Sequence, residues 1–511
     1  MEQFTAEEIS ALKTYVSNTA SPVFVVQNLP EEVVAVLFAY YSRSKESLRR
    51  NLLKLLTDQD LDMSKRVVIE DDAEKLANAR EKAKQFHEKW VVGYGHASVA
   101  EHAIAHIAIE DVSIISSKII EDNRLASYTE KSTRYVVFDA EKYYKAPELD
   151  LTPFAAVYHQ TVSAMMKKYA ELTPLAIEEI KRRIPQREGQ TALGYNAACR
   201  AKACDVLRYI LPAATFTNIG LTVNGRALEH MITKMLSHPL QEARQFGIML
   251  KREAETVIPT LLKYADYNTF IDETNREMQR LADELLRGDL LATDEPMTKQ
   301  NSAKIVHDDA DAENKLVAAI LYEYAQADAF AVEARVRGMR QEEKERVIDE
   351  YVKRRGKWDE PLRALEHINY TFDILVDYGA FRDIQRHRMA TQTNQLLTNA
   401  HGYETPPEIN EYGYGEVFTE LMERGGELFE KLAKEFPYEA QYVLPLAYRK
   451  RALFTWNLRS LHHFISLRSA RQGHISYRDI AQQVYHEIAR VHPLLARYIR
   501  VDLESYAMAR A

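Results

Sequence analysis

RYILPAATFTNIGLTVNGRALEH, residues Arg208–His230, is the stretch on which the fold turns, because it occurs twice. Residues Gln441–His463, QYVLPLAYRKRALFTWNLRSLHH, echo it at an offset of 233. Leu211-Pro212 falls on Leu444-Pro445, Asn224 on Asn457, Arg226 on Arg459 and His230 on His463. Toward the N-terminal side, two more blocks recur in order. Glu101-His102 precedes one alternating apolar run, and Glu366-His367 precedes another, 265 residues on. Arg124 opens RLASYTEKSTRY, and Arg388 closes RHR and opens MATQTNQLL, 264 residues on. The fall from 264 to 233 puts 31 extra residues between the blocks of the first half. Ordered blocks at near-constant offsets mark a tandem duplication. The charged segment Ile271–Lys304, with Gly288, Asp294, Glu295 and Pro296, reads as the linker. The domains expected are therefore 1–270 and 305–511, joined by 271–304.

Around these blocks most of the chain has helical periodicity. Helices are predicted over Glu31–Leu56, Asp72–Trp90, Ile248–Tyr264, Leu316–Arg337, Gln341–Arg355 and Asp479–Tyr498. Strands are expected at Ala103–Ile109, Arg134–Phe138 (RYVVF) and Tyr370–Val376 (YTFDILV). The fold class is α+β and helix-rich. Composition narrows the function. Lys plus Arg is 67 and Asp plus Glu is 75, a net charge of −8, which argues against a broad basic surface for a nucleic-acid polymer but leaves room for one basic pocket. With 46% hydrophobic residues, disorder is not the main theme. Cys199 and Cys204, the only cysteines, exclude a disulfide framework and a four-Cys metal site. The N-terminal MEQFTAEEIS has no signal-peptide pattern, and Ala103–Ile120 carries His106, Glu110, Asp111 and Lys118, so it is no membrane span. A reducing cytoplasm is the expected location.

Three groups of residues can carry chemistry. Arg386-His387-Arg388 suits a phosphate or pyrophosphate, because Arg offers a planar fork of donors; the alternative is a solvated charge run. Ser127, Thr129, Ser132 and Arg134 can hold a phosphate and a pyrimidine edge, or merely form a turn. Asn224, Arg226 and His230, repeated as Asn457, Arg459 and His463, place three polar groups near one helical face, for ligand or for solvent. His102 and His106 stand four apart but lack a third ligand, so they read as a core pair and no metal site is expected. No GxGxxG, GxxxxGK[ST], GxSxG or HExxH occurs.

Together these blocks resemble the flavin-dependent thymidylate synthase (ThyX) family, whose signature is RHRxxSxNxxSxR. The first half, from Asp122 to Tyr135, keeps Ser127, Glu130, Ser132 and Arg134 but loses the Arg-His. The second half keeps Arg386-His387-Arg388 and loses the Ser and Arg end. GHASVAEH (Gly95–His102) resembles the family's flavin-contacting GHxTxxEH segment. The first half keeps Arg208 before its LP block, where the second has Gln441; the second keeps the later Arg468, where the first has Lys234-Met235. Asp383 stands three residues before the RHR arginine, where the family has Gln.

The resemblance implies two tandem ThyX-like domains, each a small, mainly antiparallel sheet packed with long helices. It implies reductive methylation of dUMP to dTMP, with 5,10-methylenetetrahydrofolate, NADPH and FAD, at a site composed from both halves. Glu130, Ser132, Arg134, Arg208, Arg386 and Arg468 would bind dUMP. Arg468, beside the uracil carbonyl, would favour the ionised, nucleophilic base. His96, Ser98, Glu101, Glu130, Arg386, His387, Arg388, Asn457, Arg459 and His463 would hold FAD. A homodimer would then form a pseudo-tetramer of four such domains. The alternative is a decayed relative that binds nucleotide or flavin without turnover.

Overall fold

A computed structural model describes residues 4–41, 44–56, 97–286 and 300–506 of the chain. Among these residues seven strands form two sheets: β1 (Ile104–Ser113), β2 (Ala126–Glu130) and β3 (Phe216–Asn224), in the order β1-β3-β2, and β4 (Ser302–His307), β5 (Asn369–Asp377), β6 (Thr391–Asn394) and β7 (Arg449–Asn457), in the order β4-β5-β7-β6. Long helices pack around them, so the fold is α+β and helix-rich, as the sequence leads one to expect. The chain divides into two compact units. The first takes Met1–Glu110, Ile119–Glu130 and Asn218–Ala292; the second takes Asp111–Lys118, Lys131–Thr217 and Thr293–Ala511.

In the first unit, β2 and β3 run antiparallel, Ala126 against Val223 through Glu130 against Ile219. The helix Gly225–Leu236 starts where β3 ends and buries Leu228, Met231, Ile232 and Met235, the spacing of one apolar stripe. In the second unit, β5 pairs along its whole length with β7, Asn369 against Asn457 through Asp377 against Arg449. Its core is an aromatic stack: Trp456 lies 4.7 Å from Phe454 and 4.8 Å from Phe464.

The two LP blocks meet inside the second unit, paired with one another. Ala213 N–H donates to Leu444 O and Leu446 N–H to Leu211 O, both at 2.9 Å. Ala214 N–H donates to Tyr442 O at 3.0 Å and Ala447 N–H to Tyr209 O at 3.2 Å. Adding 233 to a first-half number in either pair yields the other bond, so the contact has a local two-fold character. The same correspondence holds within the halves. Ile114 N–H donates to Thr215 O as Tyr378 N–H does to Tyr448 O, and Gly225 N–H to Ala103 O as Leu458 N–H does to Ile368 O.

Several expected elements differ. Arg134–Phe138 is a turn rather than a strand: the N–H groups of Tyr135 and Val136 both donate to Ser132 O. Glu31–Leu56 divides into Glu31–Tyr41 and Leu48–Leu56, the second starting at Ser47, whose hydroxyl accepts from Arg50 N–H. Leu316–Arg337 divides into Ala312–Tyr322 and Ala329–Arg337, because Asp328 caps a new helix. The helix over Ile248–Tyr264 runs instead from Gln241 to Ala254, ahead of Pro259. Asp479–Tyr498 is the helix Ile475–Val491, which ends before Pro493. Within 271–304 lie most of the helix Thr269–Leu286 and the start of β4. The expected helix Asp72–Trp90 lies outside the described residues.

Candidate functional site

Both halves contribute arginines to one cluster in the second unit. The helix Tyr378–Gln385 begins directly after β5, capped by Asp377, whose carboxylate accepts from Ala380 N–H at 2.8 Å. It carries Asp383 and delivers the chain into Arg386-His387-Arg388 at its end. Arg208 opens a short turn after the helix Ala192–Leu207 and is 1% exposed. Arg468 lies in the last turn of the helix Leu458–Ser469.

These elements converge on the Asp383 carboxylate. Arg208 Nη1 is 3.7 Å from it, Arg386 Nη1 3.8 Å and Arg468 Nη1 3.9 Å. Burial works to raise the Asp383 pKa, but Arg386, Arg208, Arg468 and Arg134 outweigh it and hold the carboxyl below its usual range. Asp377, 4.0 Å from Arg208 Nη2, goes the other way: burial raises it despite that arginine. Among the described residues, Arg208 Nε and Nη2 are buried with no hydrogen-bond partner. The lack of a side chain at Gly379 keeps that space open, since a Cβ there would stand 3.2 Å from Arg208 Nε. A guanidinium buried with open donors is costly unless something accepts from it.

Arg134 is already satisfied. Its Nε and Nη2 donate to Asp205 at 2.6 and 2.8 Å, and its Nη1 donates to the Tyr477 hydroxyl at 2.7 Å. Burial opposes its charge, but Asp205 outweighs burial and holds the proton more firmly than usual. Arg468 Nε donates to His387 Nε2 at 2.8 Å, and its guanidinium lies 5.3 Å over the Tyr477 ring. Burial lowers the Arg468 pKa, with Asp383 and Tyr477 opposing. Burial, followed by Arg468, pushes His387 well below its usual value. A neutral imidazole whose Nε2 accepts agrees with that hydrogen bond.

The remaining predicted residues are spread more widely. The Ser132 hydroxyl accepts from Arg134 N–H, a turn contact. Glu130 ends β2 in the first unit, where Ser98 and Glu101 occupy the turn Ala97–His102. His96 lies outside the described residues. Asn457 caps its helix by accepting from Ser460 N–H, and Arg459 binds Glu366 at 2.7 Å and Pro361 O. His463 stands 3.5 Å from Glu360. The first half repeats this pattern: Asn224 accepts from Ala227 N–H and Arg226 binds Glu101 at 2.5 Å. The duplicated arginine therefore ties each half's strand–helix junction to its own Glu-His turn, while the duplicated Asn caps the helix. His102 stacks on Phe38 and His106 bonds Thr222, and no metal-binding cluster occurs among the described residues. Cys199 and Cys204 are buried, and burial pushes the Cys204 thiol up to about 11, so neither is a ready nucleophile.

Asp205 and Tyr477, which hold Arg134, were not singled out from the sequence, nor was the Tyr477 ring as the face beneath Arg468. Only the position of Asp205, one helical turn before Arg208, hints at it. A cavity of about 640 Å3 is lined in part by Asp205, Tyr209, His474 and Ser476, and none of the four arginines borders it. No helix among the described residues is long and apolar enough to cross a membrane.

The family described as thymidylate synthase complementing protein (Thy1) matches residues 41–260 and 304–494. A UPF0159 protein of Chlamydia pneumoniae is 34% identical over 521 residues, covering 100% of this chain and 97% of that protein. A flavin-dependent thymidylate synthase of Sulfolobus acidocaldarius is 28% identical over 216 residues, 39% of this chain and 73% of that protein. Among solved structures, a flavin-dependent thymidylate synthase of Helicobacter pylori complexed with FAD and dUMP matches at TM-score 0.29 and 18% identity. That match covers 39% of this chain and 100% of that one.

Proposed function

Since the chain belongs to the Thy1 family, we propose that it methylates dUMP reductively to dTMP, using 5,10-methylenetetrahydrofolate, NADPH and FAD. The observation that carries this reading is Arg208, fully buried with open donors and grouped with Arg386 and Arg468. Such a cluster suits the phosphate of a nucleotide, since charge-assisted bonds from Arg to phosphate oxygens are the strong kind. Arg208 and Arg386 would bind that phosphate. Arg468 would stand at the uracil carbonyl and stabilise charge on the base, its side chain fixed by His387 and Tyr477. Arg134 would act as a clamp that sets Asp205 and Tyr477 in place.

The residues at the RHR turn fit a flavin dinucleotide in part. Arg386 is exposed and Arg388 half-buried, which suits a pyrophosphate at the surface. Asn457, Arg459 and His463 would add to the hold while keeping their structural bonds. When bound, the flavin supplies the hydride chemistry. Each chain would carry one such cluster, and two chains would assemble as a homodimer. A protein that binds nucleotide or flavin without turnover is the second reading, favoured by the carboxylate of Asp383 among the arginines.

The test is a visible spectrum of the purified protein before and after anaerobic NADPH, with and without dUMP, followed by a dTMP assay. We expect an oxidised flavin band that bleaches faster with dUMP, and dTMP formation. A flavin band with no dTMP would select the second reading. A colourless protein that takes up no FAD would overturn both flavin readings.

A further inference from the structure

We propose that Asp383 is a resident counter-ion occupying the phosphate position of the arginine cluster, and that a phosphate monoester binds by taking its place. The proposal deepens the nucleotide reading of this site and rests on it. Three observations carry it. The carboxylate stands among Arg208, Arg386 and Arg468 at 3.7–3.9 Å, so its single charge offsets part of the charge of all three without closing a hydrogen bond of normal length to any of them. Arg208, buried to 1% exposure, keeps Nε and Nη2 without an acceptor even though a carboxylate is close by. Asp383 also reaches the cluster from a helix whose start is pinned by the Asp377 cap. Its backbone is therefore set independently of any ligand, and only the side chain has to yield.

The chemistry follows from charge and shape. A carboxylate has one negative charge shared by two oxygens. A phosphate monoester carries nearly two charges on three terminal oxygens, enough to accept from several guanidiniums at once. Held in the same pocket, the two anions repel. The repulsion among the arginines is thus reduced at the cost of affinity, and the carboxylate discriminates against weak monoanions that cannot displace it.

The test titrates inorganic phosphate, then dUMP, into the intact protein by calorimetry, with parallel melts. Asp383→Asn should bind phosphate at least about tenfold more tightly than wild type, since a like charge is removed. It should melt lower without phosphate and gain more from saturating phosphate. Asp383→Glu keeps the charge and should bind no more tightly than wild type. Unchanged or weaker binding by Asp383→Asn overturns the proposal, as does equal tightening by Asp383→Glu. If Asp383→Asn does not fold, tightening by Asp383→Glu alone also overturns it, and weakening supports it. Turnover is read separately: dTMP formation with no tightening sinks the counter-ion role alone, and tightening without dTMP sinks the synthase reading alone.

Discussion

At the residue scale, what the sequence displayed best was the set of charges, and what it displayed least was their partners. Arg208, Arg386 and Arg468 stand out in their motifs, and the fold brings them around one carboxylate. Asp205 and Tyr477 carry no motif; they matter because Arg134 reaches across the chain to both. Such pairings join residues far apart in sequence, and no local pattern records them. His462 offers a measurable consequence of burial. It is 3% exposed and bonds Arg355 through Nδ1 at 3.0 Å, and burial, followed by Arg355 and Arg500, lowers its pKa to about 3. The unfolded chain takes up this proton near about pH 6.5 while the folded protein stays neutral at this position. Full stability is therefore present above that value and falls as the pH drops toward 3. His462→Gln keeps an acceptor for Arg355. Urea unfolding at a series of pH values should show its acid decline shallower by about 1.4 kcal/mol per pH unit below about pH 6.

At the element scale, periodicity found β1 and β5 but misjudged where helices stop. RYVVF has the composition of a strand, yet Ser132 gathers two backbone N–H groups into a turn and Arg134 is drawn to Asp205. Short polar caps such as Ser47 and Asp328 restart helices that continuous apolar spacing would extend. The repeated Asn shows the reverse case, a motif read for ligand contact that also has a structural task in each half. Asn457→Ala should cost about 1 kcal/mol of stability through the lost cap, and Asn457→Asp, an equally good cap, only a few tenths. Thermal melts check the first effect. FAD titration of Asn457→Asp checks the second: unchanged stability with weakened FAD uptake is the outcome expected if the same amide also meets the flavin.

At the scale of the whole molecule, the duplication was readable because its offsets survive divergence, and the LP blocks it picked out pair with each other. How the chain is divided was not readable. Residues 131–217 join the second unit and 218–292 the first, which depends on packing rather than on any boundary signal. The counterpart of Arg208 has lost its charge: Gln441 stands in its place, and its amide is spent on Leu397 N–H and Tyr438 O. One anion site per chain is the expectation. Calorimetric titration with dUMP should saturate at one ligand per chain, and two would contradict it. The pairing of the LP blocks has a further consequence, for synthesis. Its four hydrogen bonds join residues 209–214 to residues 442–447, so they close a contact across more than two hundred residues. Contacts at such separation form late, because loop closure precedes any gain from them. A nascent chain that has emerged only as far as the first LP block has an edge of unpaired amides and carbonyls with no partner yet made. Until its second copy is translated, that edge is open to association with another unfinished chain.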